Sequence, residues 1–135
     1  MESKVPIFVV VDDEEPIRMI LSRYLKGCFA GAEVNVAGNP EFALVVIEEL
    51  IKQDKRPDLV FTDFNMSPHG TGLSILELCK GLGVPAVLVC SDKQEHRDFH
   101  AARELAGENF IEKPVGNPEK IKAMADKILG TKVKV

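Results

Sequence analysis

Polar side chains that follow four apolar runs of the sequence could together transfer a phosphoryl group. Asp63 follows "LVFT", and the acidic stretch 12–14 follows "PIFVVV". Ser91 follows "PAVLV" and a cysteine, and Lys113 follows "NFIE". A carboxylate at the end of a buried run is costly unless its charge is compensated, and Mg²⁺ suits carboxylates beside phosphate oxygens. Asp63 is then a candidate nucleophile toward phosphorus, with an ammonium and a hydroxyl to neutralise the phosphoryl oxygens.

The elements that must position these residues alternate between strand and helix patterns. Apolar runs predict five strands, at residues 6–11, 32–37, 58–62, 85–90 and 109–112. The first run is continuously apolar, which is typical of a parallel strand covered on both faces, whereas residues 32–37 alternate and suggest a position nearer an edge. Strand–helix repeats with short connections predict a doubly wound α/β domain.

Helical periodicity follows each predicted strand. Pro16 is a good first-turn residue, and Asn39 and Asn117 each precede a proline as helix caps. The fourth helix is predicted over residues 94–106. The apolar positions expected to face inward in the first two helices are Ile17, Ile20, Leu21, Tyr24 and Leu25, then Phe42, Ala43, Val46, Ile47, Leu50 and Ile51.

Five such units match the flavodoxin-like strand order 2-1-3-4-5, with a five-stranded parallel sheet and five helices. In that fold ligands bind beyond the carboxyl ends of the strands. Residues 1–135 are expected to form a single domain, because no linker, repeat or second domain is evident. The order 1-3-4-5 would bring the ends carrying Asp63, Ser91 and Lys113 into one crevice with the acidic stretch.

Composition and charge exclude several classes of function. The 135 residues carry a formal net charge of -4, with acidic and basic residues interspersed, so we expect no direct binding to nucleic acid. No apolar run approaches the roughly 20 residues that cross a bilayer, and no signal peptide is evident, so we expect a cytoplasmic protein with no membrane partner. Cys28, Cys79 and Cys90 are expected to be buried free thiols.

Four motifs together resemble one known family. The stretches "VVVDDE", "LVFTDFNM", "VLVCS" and "FIEKP" occur in the order and at the separations found in the receiver domains of two-component response regulators. The resemblance covers essentially the whole chain and implies a stand-alone receiver domain without an output domain. It implies a phosphoacceptor switch, not an enzyme, that assists its own phosphorylation and dephosphorylation. A histidine kinase or phosphotransfer protein would be the donor, and an unknown downstream protein the target.

The resemblance also implies how a magnesium ion would be held. Asp63 resembles the family's phosphoacceptor aspartate. Asp13 and Asp63 resemble the direct Mg²⁺ ligands, the backbone carbonyl of Asn65 resembles a third, and Asp12 would act through water.

The resemblance implies further roles for residues at the fourth and fifth strands. Ser91 resembles the hydroxyl that turns toward the phosphoryl group, and Lys113 the lysine that contacts it. The bond between Lys113 and Pro114 resembles the family's cis peptide. Phe110 occupies the position of the family's aromatic switch. Its movement would alter the face formed by helix 4, strand 5 and helix 5, and this face would signal to a separate partner.

Two departures from the family pattern keep an alternative open. Ser67 precedes Pro68 where the family usually has proline directly, and Gly72 falls one residue later than usual. Asp92 follows Ser91 where the family usually has a small residue. A receiver that acts as a phosphorylation-independent interaction module is therefore the alternative.

Other interpretations of the same residues are weaker. The aspartates at 12 and 13 could simply cap the helix that Pro16 opens. A phosphatase of the haloacid dehalogenase type would need a second aspartate where Asn65 stands, and a flavin-binding flavodoxin would need a phosphate loop that "DDEEP" would repel. His96 and His100, one helical turn apart, are expected to lie on a solvated helix face, not to ligate a metal.

Overall fold

The computed structural model describes residues 5–113 and 118–130, in which five strands alternate with five helices. The strands are β1 (Ile7–Val11), β2 (Glu33–Ala37), β3 (Leu59–Thr62), β4 (Ala86–Cys90) and β5 (Phe110–Glu112). The helices are α1 (Glu15–Cys28), α2 (Pro40–Lys52), α3 (Leu73–Leu82), α4 (Phe99–Ala106) and α5 (Glu119–Gly130). Each strand begins within one residue of its predicted start.

All five strands are parallel and form one sheet in the order β2-β1-β3-β4-β5. This confirms the predicted flavodoxin-like architecture. The continuous apolar run of β3 is fully buried, as expected for a central strand covered on both faces. The alternating run of β2 lies at the edge and is mostly half-buried. The carboxyl ends of β1 and β3 are adjacent, so the residues that follow them lie side by side.

Helices cover both faces of the sheet, and three apolar clusters fill the space between. One cluster joins β1, β3, β4 and β5 to α1 and α5. A second joins the other face of the sheet to α2 and α3. The third lies between α3, α4 and β4, and Phe110 packs against it. No helix in the described part of the chain is long and apolar enough to span a membrane.

Local sequence signals set several helix ends. The Asn39 side chain accepts a hydrogen bond from the Phe42 amide at 2.8 Å, which confirms the predicted cap of α2. α3 ends at Gly83, whose φ of 71° places it in the left-handed region that glycine tolerates. Asn117, the predicted cap of α5, lies outside the described residues.

The predicted apolar stripes of α1 and α2 are wider than the buried surfaces. Ile20 is 58% exposed and Phe42 is 52% exposed, although both were expected to face inward. The buried stripe of α1 centres on Leu21 and Leu25, and one sheet can cover only part of a helix circumference. Cys28 is half-buried, because it ends α1, whereas the other two cysteines are buried as predicted.

The fourth helix is shorter than predicted and begins at Phe99 instead of residue 94. His96 therefore precedes the helix, and its Nδ1 accepts a hydrogen bond from the Asp98 amide at 3.0 Å. This local bond offers the backbone an alternative to helix before Phe99. The expectation that His96 and His100 share one helix face is wrong.

Candidate functional site

Two aspartates lie side by side where β1 and β3 end. The Asp63 amide donates to the Val11 carbonyl at 2.8 Å, which extends the β1–β3 pairing to the first residue beyond β3. Asp12 follows β1 directly, and its amide donates to the Ala37 carbonyl at 3.1 Å. Both are withdrawn from solvent, with Asp12 2% and Asp63 7% exposed. The strand register thus fixes two buried carboxylates at one edge of the sheet.

The Lys113 ammonium lies between these carboxylates. Its Nζ is 2.7 Å from Asp12 Oδ2 and 3.2 Å from Asp63 Oδ2, with the more exposed Glu14 at 3.8 Å. Lys113 follows β5, and its amide donates to the Cys90 carbonyl at 3.0 Å. The lysine side chain therefore reaches across the end of β4 to carboxylates on two other strands.

Burial sets the electrostatics of the crevice. Burial first, and the nearby Asp12 charge second, together raise the pKa of Asp63 from 3.8 to about 6, against the opposing effects of Lys113 and the Phe64 amide. Burial alone would lower the pKa of Lys113. The hydrogen bond to Asp12 and the charges of both aspartates outweigh burial, so the pKa of Lys113 is raised. The lysine is therefore firmly cationic.

The acidic residues of the crevice have the chemistry of a magnesium site. Oxygen atoms of Asp12, Asp13 and Asp63 all lie within 4.8 Å of one another. Mg²⁺ is a hard cation that binds such oxygens and keeps several waters, and the exposed Asp13 leaves room for them. The donor set fits the predicted ion, and the ligand roles remain predictions.

The loop after β3 also leaves the predicted carbonyl ligand available. Asn65 pairs with Thr71 as an antiparallel bridge. The bonds that flank the pair run from the Gly72 amide to the Phe64 carbonyl, and from Met66 to Gly70. Within the described part of the chain the Asn65 carbonyl accepts no hydrogen bond. Its side-chain oxygen accepts bonds from the amide and hydroxyl of Ser67, the extra loop residue.

Close packing in this loop makes a glycine necessary at position 72. A Cβ at this position would overlap the carbonyl oxygen of Asp63 and lie 3.1 Å from Thr62 Oγ1. The Thr62 hydroxyl donates to that same carbonyl at 2.8 Å. The loop before α3 therefore packs directly on the backbone of the candidate phosphoacceptor, and only glycine permits this approach.

Ser91 and Phe110 lie outside the cluster of charges. The Ser91 hydroxyl accepts a bond from the Lys93 amide at 3.1 Å. In residues 5–113 and 118–130 no hydrogen bond joins Ser91 to Asp63 or Lys113. Phe110 is half-buried and pairs in register with Leu88. The bond between Lys113 and Pro114, predicted to be cis, lies outside the described residues, and the peptide bond from Ser67 to Pro68 is cis.

Sequence reasoning missed two arginines next to these residues. Arg18, one turn into α1, donates from Nη1 to the Asp12 carbonyl at 2.6 Å. Arg103, on α4, lies over the Phe110 ring, with Cζ 3.9 Å from the ring centroid. A basic residue in the first turns after an acidic strand end could have indicated Arg18. Nothing local indicated Arg103, because its contacts depend on how α4 packs.

A profile of the response regulator receiver domain matches residues 8–126, most of the chain. The chain belongs to this family. Receiver domains are signalling switches of two-component systems, and phosphorylation and magnesium binding at an acidic pocket are typical of them. The cluster of Asp12, Asp13 and Asp63 at the strand ends has the acidic character of such a pocket.

Curated relatives include the regulatory protein VirG of Rhizobium rhizogenes, 30% identical over 112 residues. The match covers 82% of this chain and 43% of VirG. The KDP operon transcriptional regulatory protein KdpE of Escherichia coli is 28% identical over 108 residues, covering 80% of this chain and 44% of KdpE. The chain thus spans about half the length or less of these two relatives.

Solved receiver domains share the fold at low sequence identity. The chemotaxis response regulator CheY4 of Vibrio cholerae superposes with a TM-score of 0.71 at 22% identity, covering 93% of this chain and 99% of CheY4. A CheY-like receiver domain from Methanospirillum hungatei gives 0.73 at 24% identity, with 95% and 99% covered. These similarities agree with the strand order observed here.

Proposed function

We propose that Asp63 accepts a phosphoryl group from a histidine kinase or phosphotransfer protein, and that the chain signals through the face formed by α4, β5 and α5. The observation that carries this proposal is the Lys113 ammonium, held between Asp12 and Asp63 at the carboxyl edge of the sheet. A nucleophilic carboxylate, a fixed cation and a set of metal-binding oxygens are the parts that phosphoryl transfer requires.

The chemical step needs an ionised Asp63. With a pKa of about 6, the carboxylate is mostly ionised at pH 7. One of its oxygens attacks phosphorus and forms the acyl phosphate bond. The bond from phosphorus to the donor nitrogen breaks, and its electron pair stays on that nitrogen. A ring already protonated at its other nitrogen leaves as neutral imidazole, and an unprotonated ring takes up one proton as it leaves. The Phe64 amide, 2.7 Å from Asp63 Oδ1, orients the carboxylate for this attack.

The remaining crevice residues would hold the cofactor and the transferred group. Asp13, Asp63 and the Asn65 carbonyl would bind Mg²⁺ directly, and Asp12 would bind it through water. Bound Mg²⁺ supplies neutralisation of the phosphoryl oxygens. Lys113, already cationic and directed at Asp63, would contact the same oxygens.

The response would pass from Ser91 to Phe110. A phosphoryl group adds charge and three acceptor oxygens, toward which the Ser91 hydroxyl would turn. Phe110 would then change its packing between α4 and α5. Moving a switch from mostly off to mostly on requires about 5.5 kcal/mol, which a few charge-assisted hydrogen bonds can supply.

The phosphatase alternative conflicts with the loop geometry. A haloacid dehalogenase-type enzyme would need a general acid at the position of Asn65. The Asn65 side chain is an amide that accepts hydrogen bonds from Ser67, and an amide cannot donate a proton to a leaving group. Turnover of a small phosphate monoester at rates above background would contradict this conclusion.

The experiment is incubation with acetyl phosphate or phosphoramidate and Mg²⁺, followed by intact mass before and after mild base. We expect one base-labile phosphate adduct, lost in Asp63→Asn and retained in Asp126→Asn, which changes an exposed aspartate on α5. Absence of the adduct in the parent protein, with Mg²⁺ binding intact, would favour the phosphorylation-independent module. In that case the Asp92 carboxylate beside Ser91 becomes the first suspect.

A further inference from the structure

Arg103 contacts three separate parts of the protein next to the switch residues. Its guanidinium carbon lies 3.9 Å from the centroid of the Phe110 ring on β5. Its Nε lies 3.7 Å from Asp92 Oδ1, in the loop after β4. Its Nη1 donates to the Gly107 carbonyl, just beyond α4, at 3.4 Å. One side chain thus joins α4, the loop that carries Ser91, and β5.

The chemistry of the guanidinium suits this triple contact. It is planar and weakly hydrated, so it can stack on an aromatic face while its edge attracts a carboxylate. The Phe110 ring packs against the third apolar cluster, and Arg103 lies over the ring. Among the described residues, Arg103 is the cation that lies within ion-pair distance of Asp92.

The loop that carries Asp92 is held by bonds that Ser91 itself accepts. The Ser91 hydroxyl accepts from the Lys93 amide, and its carbonyl accepts from the Gln94 side chain at 3.1 Å. Turning the hydroxyl toward Asp63 would break the first of these bonds. Because Asp92 is the next residue, the same rearrangement would displace its carboxylate relative to Arg103.

We infer that Arg103 is a positioning residue, which holds the Phe110 ring against α4 and ties it to the loop after β4 through Asp92. This inference rests on the proposed function for its trigger, the movement of Ser91. It explains the unusual Asp92 beside the switch hydroxyl: the carboxylate anchors the arginine that restrains the aromatic ring. Weakening the Asp92–Arg103 contact releases Phe110.

A single tryptophan can report on this restraint. The chain contains no tryptophan, so Phe110→Trp introduces one fluorophore at the position in question. Its emission and its quenching by acrylamide are measured in the unphosphorylated protein, alone and combined with Arg103→Ala or Asp92→Asn. The matched control is Arg97→Ala, which removes the same charge from an arginine that is 92% exposed just before α4.

We expect Arg103→Ala to lower the ratio of held to released ring by roughly three- to fivefold, the size of a half-exposed cation–π contact. Quenching should therefore rise in Arg103→Ala, rise less in Asp92→Asn, and stay unchanged in Arg97→Ala. The double change Arg103→Ala with Asp92→Asn should add nothing to Arg103→Ala alone, because both act through one contact.

Two results would overturn the inference. Equal quenching in Arg103→Ala and Arg97→Ala would show that the guanidinium does not restrain residue 110. An unchanged value in Asp92→Asn would break the proposed link to the loop after β4. These measurements need no phosphodonor, so they are independent of adduct formation on Asp63, and failure of the proposed function would show separately in the intact mass. Thermal unfolding of each variant reports whether it is folded.

Discussion

The crevice at the carboxyl edge of the sheet and the surroundings of Arg103 on α4 each contain a pair of opposite charges, but the two pairs differ in burial. Asp12 is 2% exposed and the Lys113 side chain 18%. The Asp92 side chain is 53% exposed and that of Arg103 36%. The ion pair in the crevice is closer as well, at 2.7 Å against 3.7 Å.

This difference separates two tasks. Charges in a buried site interact strongly, and leaving one of them without its partner is costly, so the crevice keeps one arrangement. A half-exposed pair contributes about 0–1 kcal/mol and can rearrange at little cost. Chemistry at Asp63 benefits from the first property, and a switch at Phe110 benefits from the second.

Lys113→Ala should have the largest effect, because it leaves two buried carboxylates facing each other. We expect a loss of about 3 kcal/mol in the free energy of unfolding at pH 8 without Mg²⁺, measured by urea denaturation. Added Mg²⁺ should restore much of this loss, since a cation replaces the ammonium. The control is Lys127→Ala, on an exposed pair with Glu108, with a change below about 1 kcal/mol. An equal loss in both variants would contradict the contrast.

Asp63→Asn should stabilise the metal-free protein at neutral pH. The folded-state pKa of about 6 lies above the ordinary 3.8, so the folded protein binds more protons between these values. The stabilising contribution of protonated Asp63 is complete below about pH 4 and is lost as the pH rises through about 6. The Asn variant should therefore gain about 2 kcal/mol over the parent at pH 8, and almost nothing at pH 4.

The measurement for this variant is urea denaturation in EDTA from pH 4 to pH 8. Asp126→Asn serves as the control for removing one negative charge. If the stability difference between Asp63→Asn and the parent does not vary with pH, the pKa of Asp63 is not raised in the folded protein.

Gly72→Ala should destabilise by about 1–3 kcal/mol, because the added methyl group overlaps the Asp63 carbonyl. It should also slow adduct formation by shifting the phosphoacceptor. Gly81→Ala, on α3 with open space at its Cβ, should stabilise by about 0.5–1 kcal/mol through helix propensity. If the close approach at Gly72 is real, thermal and urea unfolding will show a loss of stability in Gly72→Ala and a gain in Gly81→Ala.

Arg103→Ala should have the smallest effect on stability, below about 1 kcal/mol by urea denaturation, despite releasing Phe110. A loss as large as that of Lys113→Ala would mean that the contact between α4 and β5 is as rigid as the crevice. Phe110 could then not change its packing as a switch requires.

Much of the fold was predictable because its signals are local. A buried parallel strand is a short continuous apolar run, and β1 and β3 have that pattern without reference to the rest of the chain. The caps at Asn39 and Gly83 act within a few residues. The width of the buried face of each helix could not be predicted from local sequence, because the exposure of Ile20 and Phe42 depends on what covers each helix.

The sequence by itself determined which residue types stand at each strand end, and therefore that carboxylates, a hydroxyl and an ammonium are available at one edge of the sheet. Only the tertiary structure decided which of them meet. Lys113 pairs with Asp12 across 101 positions, and Arg103 joins Asp92 to Phe110 through the packing of α4. Strand patterns arise from the alternation and burial of neighbours in sequence, whereas charge pairing depends on distances that exist only after the sheet and its helices have assembled.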